Sequence, residues 1–400
     1  MNFSRRSVLS AGTGLTLTPA AAIAGNGKSD QTRELQAAID RAVERDGVLR
    51  LPAGKFLVSG LKLTASLQIE GVAGHTVLMA LPGTTILTIE SAEYVRIGGI
   101  TFEGGDNGLV LGNSGGRICG NEFRLQEKTA LLARDSRGLE ISGNHVHDIG
   151  NNGIQVWTTD KAEDGTLVIN NRVERVAARD GGSGQNGNGI NIFKAAHVVV
   201  SNNRVTDCAY SAIRNNSGAD CQITGNSISR TLEVAIYVEF AFEGAVVSNN
   251  MIDDAGFGIS ITNFNEGGRL AVCSNNIVRN IHGGKTAGVT SGGGIYAEAD
   301  TLISSNVVES ATDFGIGMGW GPYARNVSAQ GNLIQNCDTG IIASVTEGAG
   351  QSYIAHNIIS GSKKAAIVGM DHLDPKTDDL GKADAKVPDV ILLKDNVIRV

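Results

Sequence analysis

The sequence predicts an all-β fold, a right-handed single-stranded parallel β-helix, and three observations support this prediction. From residue 118 onward the chain repeats one unit, in which a short apolar run and an asparagine are followed about ten positions later by Gly-Ile or Ala-Ile. Where nothing is inserted, the unit recurs every ~23 to 26 residues, a period that indicates a solenoid. The chain also has 53 glycines but only 6 prolines among 400 residues, as suits a turn-rich stack of coils. The pairs that define the unit are Asn144/Gly153, Asn203/Ala212, Asn226/Ala235, Asn250/Gly258, Asn306/Gly315, Asn332/Gly340 and Asn357/Ala366.

Each unit is predicted to form one coil of short strands and turns. Apolar residues alternate after the Gly-Ile pair, as at Ile154/Val156 and Ile236/Val238, and this is the period of a strand with one buried face. Asparagine tolerates the left-handed backbone of a sharp turn, and stacked asparagines can hydrogen-bond from coil to coil. A leucine-rich repeat has a similar period, but its Leu-x-x-Leu-x-Leu frame and helix are absent from the sequence.

The N-terminus predicts export. Ser4-Arg5-Arg6-Ser7-Val8-Leu9 has the form of a twin-arginine signal, an apolar stretch follows, and Ala22-Ile23-Ala24 offers a cleavage site. We therefore assign residues 1–24 to a signal peptide and residues 25–400 to a single β-helix domain. A disordered basic tail is the alternative. The twin-arginine translocation machinery is then a partner, and the mature protein is periplasmic or secreted.

Composition argues against other classes. A net charge of −7 and a pI near 5.6 disfavour a nucleic-acid partner, and no apolar stretch in the mature chain is long enough to predict a membrane span. No P-loop or dinucleotide fingerprint predicts a nucleotide cofactor. The five cysteines are expected to fill the core, although a Cys208–Cys221 disulfide is possible in an oxidising compartment.

The ends of the mature chain depart from the repeat. Residues 25–30 suggest a flexible leader, and residues 32–45 an amphipathic helix that caps the first open coil. Residues 371–389 are charged and contain two prolines, so we interpret them as a surface loop before a last coil.

Taken together, the twin-arginine start, the helix followed by Leu51-Pro52-Ala53-Gly54, and the Asn…Gly-Ile repeats resemble a bacterial family of twin-arginine-translocated repeat proteins. More broadly, the chain resembles the pectate-lyase-like β-helix superfamily, which includes polysaccharide lyases, polygalacturonases and alginate epimerases. This resemblance covers nearly the whole chain and implies a polysaccharide partner, but it is fold-level analogy. The Asn-Thr-Asp, Gly-His-Gly and Arg-Ile-Lys motifs of polygalacturonases and the Asp-Pro-His motif of epimerases are absent, so no catalytic set is carried over.

Two insertions suggest where a ligand could bind. The distance from the repeat asparagine to its glycine doubles between Asn171 and Gly189 and between Asn276 and Gly294. The two loops should lie four coils, or about 19 Å, apart along one edge of the solenoid, and flank a shallow trough. Two unrelated, tolerated insertions are the alternative.

Residues that alternate with the buried positions are predicted to line this trough. Aromatic rings beside amide, hydroxyl and charged groups would suit the faces and hydroxyls of a sugar chain, although such residues are also ordinary on strand surfaces. The predicted sugar-binding residues are Trp157, Asn191, Phe193, Asn216, Tyr237, Thr262 and Tyr296.

Two cleavage mechanisms could use the charged residues of the strip. Glu239 and Glu298 occupy equivalent positions two coils apart, about 9 to 10 Å, near the separation of the carboxylates in an inverting glycosidase. Alternatively Lys194 and Arg214, on adjacent coils, could serve a lyase in which calcium would neutralise the substrate, and this pair resembles the Lys/Arg pair of some alginate and chondroitin lyases. A non-catalytic envelope scaffold or carbohydrate-binding protein is the rival prediction.

A second polar cluster is predicted to be inert. His145 and His147 alternate onto one strand face, but no third ligand is evident in the sequence, so we expect a solvated histidine pair and no metal site.

Overall fold

The computed structural model describes residues 24–182, 184–263, 266–284 and 290–399, and it confirms the right-handed parallel β-helix, with about 13 coils. Nearly all of the predicted signal peptide lies outside the described residues, so its assignment stays a prediction. No helix among the described residues is long and apolar enough to cross a membrane.

Each coil contributes one strand to each of three parallel sheets. Sheet 1 precedes the asparagine turn, and its strands are Val48–Arg50, Leu67–Glu70, Val95–Gly98, Gly116–Cys119, Glu140–Ser142, Leu167–Ile169, Val199–Ser201, Ala219–Thr224, Glu243–Ser248, Arg269–Ser274, Ala299–Ser304, Arg325–Gln330, Ser352–Ala355 and Ile391–Lys394. Sheet 2 follows that turn, and its strands are Asn26–Asp30, Gly54–Leu57, Thr76–Ala80, Thr101–Gly104, Glu122–Arg124, His145–Ile149, Arg172–Val176, Arg204–Cys208, the first half of Ser227–Glu239, the first half of Met251–Ile261, Ile277–Ile281, Val307–Ala311, Leu333–Gln335, Ile358–Ser360 and Val397–Arg399.

Sheet 3 begins at the Gly-Ile pairs and closes each coil. Its strands are Leu61–Leu63, Thr85–Glu90, Asn107–Gly112, Thr129–Arg134, Asn152–Glu163, Asn188–Ala196, Ile213–Asn216, the second halves of Ser227–Glu239 and Met251–Ile261, Gly293–Ala297, Phe314–Met318, Thr339–Ser344 and Ala365–Asp371, with the short antiparallel strand Asp374–Pro375 at its end. Two strands therefore bend continuously from sheet 2 into sheet 3.

The core fills the inside of the coils with alternate aliphatic residues. Ile190, Ile213, Ile236 and Ile259 are stacked in register on sheet 3, and all four are fully buried. The small residue before each of them has a steric reason. A Cβ added at Gly189 would come within 2.7 Å of the carbonyl oxygen of Ala212 in the next coil, so only glycine fits at this position without moving its neighbours.

The predicted asparagine ladder is present. Eleven buried or half-buried asparagines form one column, and the Nδ2 group of each donates to the Oδ1 atom of the next, at 2.9 to 3.2 Å. The members are Asn121, Asn144, Asn171, Asn203, Asn226, Asn250, Asn276, Asn306, Asn332, Asn357 and Asn396. One detail of the prediction was wrong. The left-handed residue is the one before each ladder asparagine, such as Asn202 with a φ of 56° and Asn249 with a φ of 58°.

Both ends of the solenoid are covered. Helix α1 spans Thr32–Arg45, as predicted, and buries Leu35, Ala38, Ile39 and Ala42 against the first coils. The predicted flexible leader was wrong: Asn26–Asp30 is a strand that pairs in parallel with Gly54–Leu57.

At the C-terminal end, the predicted surface loop is hydrogen-bonded to the last strand of sheet 3. The backbone amides of Lys376 and Leu380 donate to the carbonyl groups of Gly369 and Ile367, on the open edge of the last strand of sheet 3. Leu380 is only 4% exposed and belongs to the core. The loop thus covers an edge that could otherwise pair with another chain.

The cysteines fill the interior, as predicted, and form no disulfide. Cys208, Cys221, Cys273 and Cys337 are buried and Cys119 is half-buried, and all five are free thiols. Cys208 lies on sheet 2 and Cys221 on sheet 1, and burial raises the pKa of both thiols, to about 12. The possible Cys208–Cys221 bond does not form.

Candidate functional site

Sheet 3 carries the predicted strip in register. Two outward columns run along it, because each residue of a coil pairs with its equivalent in the next coil. The first column contains Gln155, Asn191, Arg214, Tyr237, Ser260 and Tyr296. The second column contains Trp157, Phe193, Asn216, Glu239, Thr262 and Glu298. Five coil-to-coil steps separate the first and last residues of each column, a distance of about 24 Å.

The strip is less open than the sequence predicted. Trp157 is 40% exposed, and Asn191, Phe193, Asn216, Tyr237 and Tyr296 are half-buried. Thr262 is buried, and the charged residues Arg214, Glu239 and Glu298 are 9%, 1% and 3% exposed, although they lie on the outward side of the sheet. The expected shallow trough floored by solvated charges was therefore wrong. Chain segments inserted between coils cover its middle.

Arg214 and Glu239 form a buried ion pair at the centre of the strip. The Nε atom of Arg214 donates to Oε1 of Glu239 at 2.5 Å, and Nδ2 of Asn216 donates to the same oxygen at 3.0 Å. The Nη1 group of Arg214 donates to the carbonyl oxygen of Gly184, which belongs to the first inserted loop. The guanidinium also lies 5.6 Å from the ring centroid of Tyr237. Loop and strip are thus linked by one side chain.

A second buried acid, Glu233, belongs to this centre and was missed in the sequence. Its Oε2 atom accepts a hydrogen bond of 2.7 Å from the Ser211 hydroxyl, one coil earlier, and it is 5% exposed. Burial raises the pKa of Glu233. The negative charge of Glu239 raises this pKa further, whereas the positive charge of Arg214 lowers it. Burial also raises the pKa of Glu239, against the attraction of Arg214. Two acids with raised pKa values flanking one guanidinium are typical of a functional site.

Glu298 and Tyr296 extend the strip toward the second inserted loop. Pairing of Ile261 with Val238 and with Ala297 puts Glu298 two coils beyond Glu239 in the same column, as predicted. The Oε2 atom of Glu298 accepts a hydrogen bond of 2.8 Å from the backbone amide of Asn263. Burial raises the pKa of Tyr296 well above its ordinary value, and its hydroxyl donates to the carbonyl of Gly319 at 3.1 Å.

The side chain of Lys194 lies apart from Arg214 and contacts other residues. Phe193 pairs with Asn216, so Lys194 lies beyond the strand positions that face Arg214, in a left-handed turn with a φ of 57°. Its ammonium donates to the carbonyl of Thr159 at 3.2 Å and lies 5.2 Å from the ring centroid of Phe193. The convergent Lys/Arg pair predicted for a lyase is therefore absent from the structure.

The open end of the strip is aromatic. The rings of Trp157 and Phe193 meet edge to face, with centroids 5.5 Å apart. Beyond Trp157 the strand Asn152–Glu163 extends into an exposed segment, and Lys161 reaches from it to the carbonyl of Ala241 at 3.0 Å. This segment forms a side wall along the strip that the sequence did not predict.

Sheet 2 carries a separate polar cluster, and here the structure supplies the third group that the sequence lacked. Within the described part of the chain, one set of three potential metal ligands has its ligand atoms within 4.8 Å of one another: Glu122, His145 and His147. Glu122 pairs directly with His145 in the next coil. The expectation of an isolated histidine pair was wrong.

Comparisons with known proteins agree on the fold. Residues 162–293 match the model of the right handed beta helix region, and no curated protein matches the chain. A tailspike protein of the E. coli bacteriophage HK620, in complex with hexasaccharide, is 12% identical, with a TM-score of 0.53 over 94% of this chain and 75% of that one. The GH87 alpha-1,3-glucanase of Streptomyces thermodiastaticus is 14% identical, with a TM-score of 0.53 over 97% and 70%. PfbA, a surface adhesin of Streptococcus pneumoniae, is 12% identical, with a TM-score of 0.50 over 92% of each chain. At these identities the likeness concerns the fold.

Proposed function

We propose that this chain is an exported protein that binds an extracytoplasmic polysaccharide along the outward face of sheet 3. The observation that carries the proposal is the pair of in-register columns, about 24 Å long, in which aromatic, amide and charged residues stand side by side and whose Trp157 end is open to solvent. A linear glycan needs such a surface, with flat apolar rings for its CH faces and hydrogen-bonding groups for its hydroxyls.

The open end of the strip is the part suited to first contact. Trp157 and Phe193 offer a ring platform, and the half-buried amides of Gln155, Asn191 and Asn216 lie beside it in the same columns. The side-chain oxygen of Asn191 is buried with no hydrogen-bond partner among the described atoms. Burying an amide oxygen without a partner costs free energy, and a sugar hydroxyl could supply the missing donor only where the chain that covers this oxygen moves aside.

The names of structural neighbours agree with this proposal. One of them is a glucanase, one is a tailspike protein in complex with hexasaccharide, and one is a surface adhesin. These names describe those proteins, and for this chain they support both the proposed ligand class and the non-catalytic alternative of an envelope scaffold.

Cleavage by hydrolysis is the second candidate, and Glu239 is the observation that favours it. Burial raises the pKa of Glu239, the direction that suits a general acid, but its carboxyl group is buried and ion-paired with Arg214, so it could protonate a leaving group only when the inserted loop opens. The backbone position of Glu298, two coils away in the same column, is about 9.6 Å from that of Glu239 by strand spacing, just above the range of about 6.5–9.5 Å for the carboxylates of an inverting pair. The calcium dependence of the lyase alternative stays a prediction.

Binding is tested by affinity electrophoresis through gels that contain neutral or uronic polysaccharides. One of these polymers should retard the wild-type protein. Trp157→Ala and Phe193→Ala should each weaken that retardation at least tenfold, as expected from loss of an aromatic platform, whereas Tyr94→Ala should not, because Tyr94 is an exposed aromatic residue outside sheet 3. Equal retardation of the wild type and Trp157→Ala would contradict the proposal.

Cleavage is tested separately with the polymer that binds. Hydrolysis produces new reducing ends, whereas a lyase also produces unsaturated, ultraviolet-absorbing ends. The hydrolysis candidate predicts reducing ends alone, lost in Glu239→Gln and in Glu298→Gln while retardation persists. Retardation without new ends in the wild type would identify a non-catalytic binding protein.

Export is supported by the Arg5-Arg6 pair and tested by cell fractionation. The wild-type chain should accumulate shortened outside the cytoplasm. Replacement of both arginines by lysine should retain the full-length chain inside, and normal export of that variant would contradict twin-arginine transport.

A further inference from the structure

We propose that Glu122, His145 and His147 form a binding site for a divalent transition-metal ion, of which Zn²⁺ is the best match, on the outer face of sheet 2. This site is independent of the glycan-binding strip, because it lies on another sheet and shares no residue with it. Imidazole nitrogen together with one carboxylate is the donor set that zinc takes in three-ligand sites.

The spacing of the donors suits a metal ion. The Nε2 atom of His147 lies 3.1 Å from Oε1 of Glu122. Two ligands at ~2.05 Å from zinc span that distance when the angle between them is about 100°, which is close to tetrahedral. His145 stacks directly on Glu122 in the next coil, and its ring centroid is 4.3 Å from that of His147. The ligand atoms of all three residues lie within 4.8 Å of one another, which brings His145 into the set.

Hydrogen bonds from neighbouring residues orient the imidazole of His147 for metal binding. Asp148 accepts a hydrogen bond of 2.6 Å from Nδ1 of His147 and is itself clamped by Arg175 at 2.7 and 2.9 Å. The two hydrogen bonds from Arg175 fix the position of the Asp148 carboxylate beside His147. With its proton on Nδ1, His147 can offer Nε2 to a metal ion in exchange for its contact with Oε1 of Glu122, the arrangement that metal-binding histidines commonly use.

The side chains of Glu122 and His145 are also oriented by neighbouring residues. The hydroxyl of Thr101 donates to Oε2 of Glu122 at 2.9 Å, which orients the carboxylate. His145 is oriented by Glu174, whose Oε2 atom lies 3.5 Å from Nε2 of His145. Its side chain is 40% exposed, so the fourth coordination position faces solvent and is open to water.

The local charge tolerates a cation although arginines are close. Arg124 lies 3.1 Å from Oε1 of Glu122, but Glu103 holds the same guanidinium at 2.6 Å. Around the site, the four carboxylates of Glu103, Glu122, Asp148 and Glu174 face the three guanidinium groups of Arg124, Arg172 and Arg175. The carboxylates outnumber the guanidinium groups by one, which favours a divalent ion.

The test is a zinc titration of the tag-free mature chain after treatment with a chelator, followed by calorimetry. We expect one Zn²⁺ per chain and a higher melting temperature with zinc. His147→Gln, His145→Gln and Glu122→Gln should each weaken binding at least tenfold. Asp148→Asn should weaken it 10- to 100-fold, as expected when the partner of a metal-binding histidine is lost. His75→Gln is the matched control, because His75 is an exposed histidine on another coil, and it should bind zinc like the wild type.

A second readout separates a metal site from a merely structural cluster. Co²⁺ in the same site should give visible absorption bands that disappear in His147→Gln, while circular dichroism in chelator shows that the variant is folded. The proposal is overturned if the wild type takes up no stoichiometric zinc, or if His147→Gln and His145→Gln both bind it as tightly as the wild type. Neither result would bear on glycan binding.

Discussion

The asparagine ladder makes a sharp prediction about stability at two adjacent residues of the same type. Asn203 is a ladder member and is 1% exposed, whereas Asn202 before it is exposed and left-handed. Replacing Asn203 by alanine should destabilise the protein strongly. Replacing Asn202 by glycine should change little, because glycine adopts the same backbone conformation without cost.

The magnitude follows from the hydrogen bonds of the Asn203 side chain. It donates to the Val168 carbonyl at 2.8 Å and to Asn226 at 3.0 Å, and its Oδ1 atom accepts from the backbone amide of Asn171 at 2.9 Å and from Nδ2 of Asn171 at 3.0 Å. Asn226 and the Nδ2 group of Asn171 keep other partners, the amide of Asn203 and the carbonyl of Ile141. The Asn171 backbone amide loses the ladder acceptor. Four hydrogen bonds are lost, and one of them leaves a buried donor without its acceptor, which together amount to about 2–4 kcal/mol.

The assay is equilibrium unfolding in guanidinium chloride, followed by circular dichroism, on the wild type, Asn203→Ala and Asn202→Gly. We expect a loss of about 2–4 kcal/mol for the ladder variant and less than about 0.5 kcal/mol for its neighbour. Asn202→Ala adds a check on the backbone, since a left-handed alanine costs roughly 1–2 kcal/mol. Similar losses for Asn203→Ala and Asn202→Gly would refute the assignment of the ladder to the second asparagine.

Three further predictions concern the buried charges and the C-terminal loop. Arg214→Met should destabilise the protein by about 3–5 kcal/mol in thermal or chemical unfolding, because it leaves Glu239 buried without its cation; a loss below about 1 kcal/mol would mean that the loop opens and hydrates the acid. The pKa of Glu233 is raised in the folded state, so its contribution to stability is full below the unfolded value of about 4.3 and is lost as the pH rises through the folded value. The melting temperature of the wild type should therefore fall relative to that of Glu233→Gln between pH 4 and pH 8, and parallel curves would contradict the raised pKa. Leu380→Asp should expose the last edge of sheet 3 and cause self-association in light scattering, whereas Leu373→Asp, at a residue 75% exposed, should remain monodisperse like the wild type. Equal behaviour of the two variants would show that the loop does not protect this edge.

The repeat determined most of what could be predicted. Because the asparagine and the Gly-Ile pair fix the register of every coil, residues distant in sequence, such as Trp157 and Phe193 or Glu239 and Glu298, could be assigned to one column from the sequence alone. The position of the first inserted loop beside the strip followed from the same register, whereas residues 285–289 of the second loop lie outside the described residues.

The remaining features depend on contacts that the repeat does not encode. The strand Asn26–Asp30 forms only because Gly54–Leu57 offers it an edge, and its composition carries no strand signal. The burial of Arg214 arises from a carbonyl of an irregular loop, whose path the sequence does not specify.

Two groups could have been found from the register of the coils. Glu122 lies one repeat before His145, and Glu233 lies one repeat after Ser211. Each becomes a neighbour only when the coils are stacked, so a search confined to local motifs passes over both.

The central claim is that polysaccharide binds on the outward face of sheet 3, and tryptophan fluorescence tests it most directly. The chain has 2 tryptophans, Trp157 on the strip and Trp320 near the C-terminal end of the solenoid. In the Trp320→Phe protein, the polymer that retards the chain in gels should shift or quench the emission of Trp157, with the same concentration dependence as the retardation. The claim would be contradicted if that polymer retarded the protein without changing the emission of Trp157, but changed the emission of Trp320 in the Trp157→Phe protein.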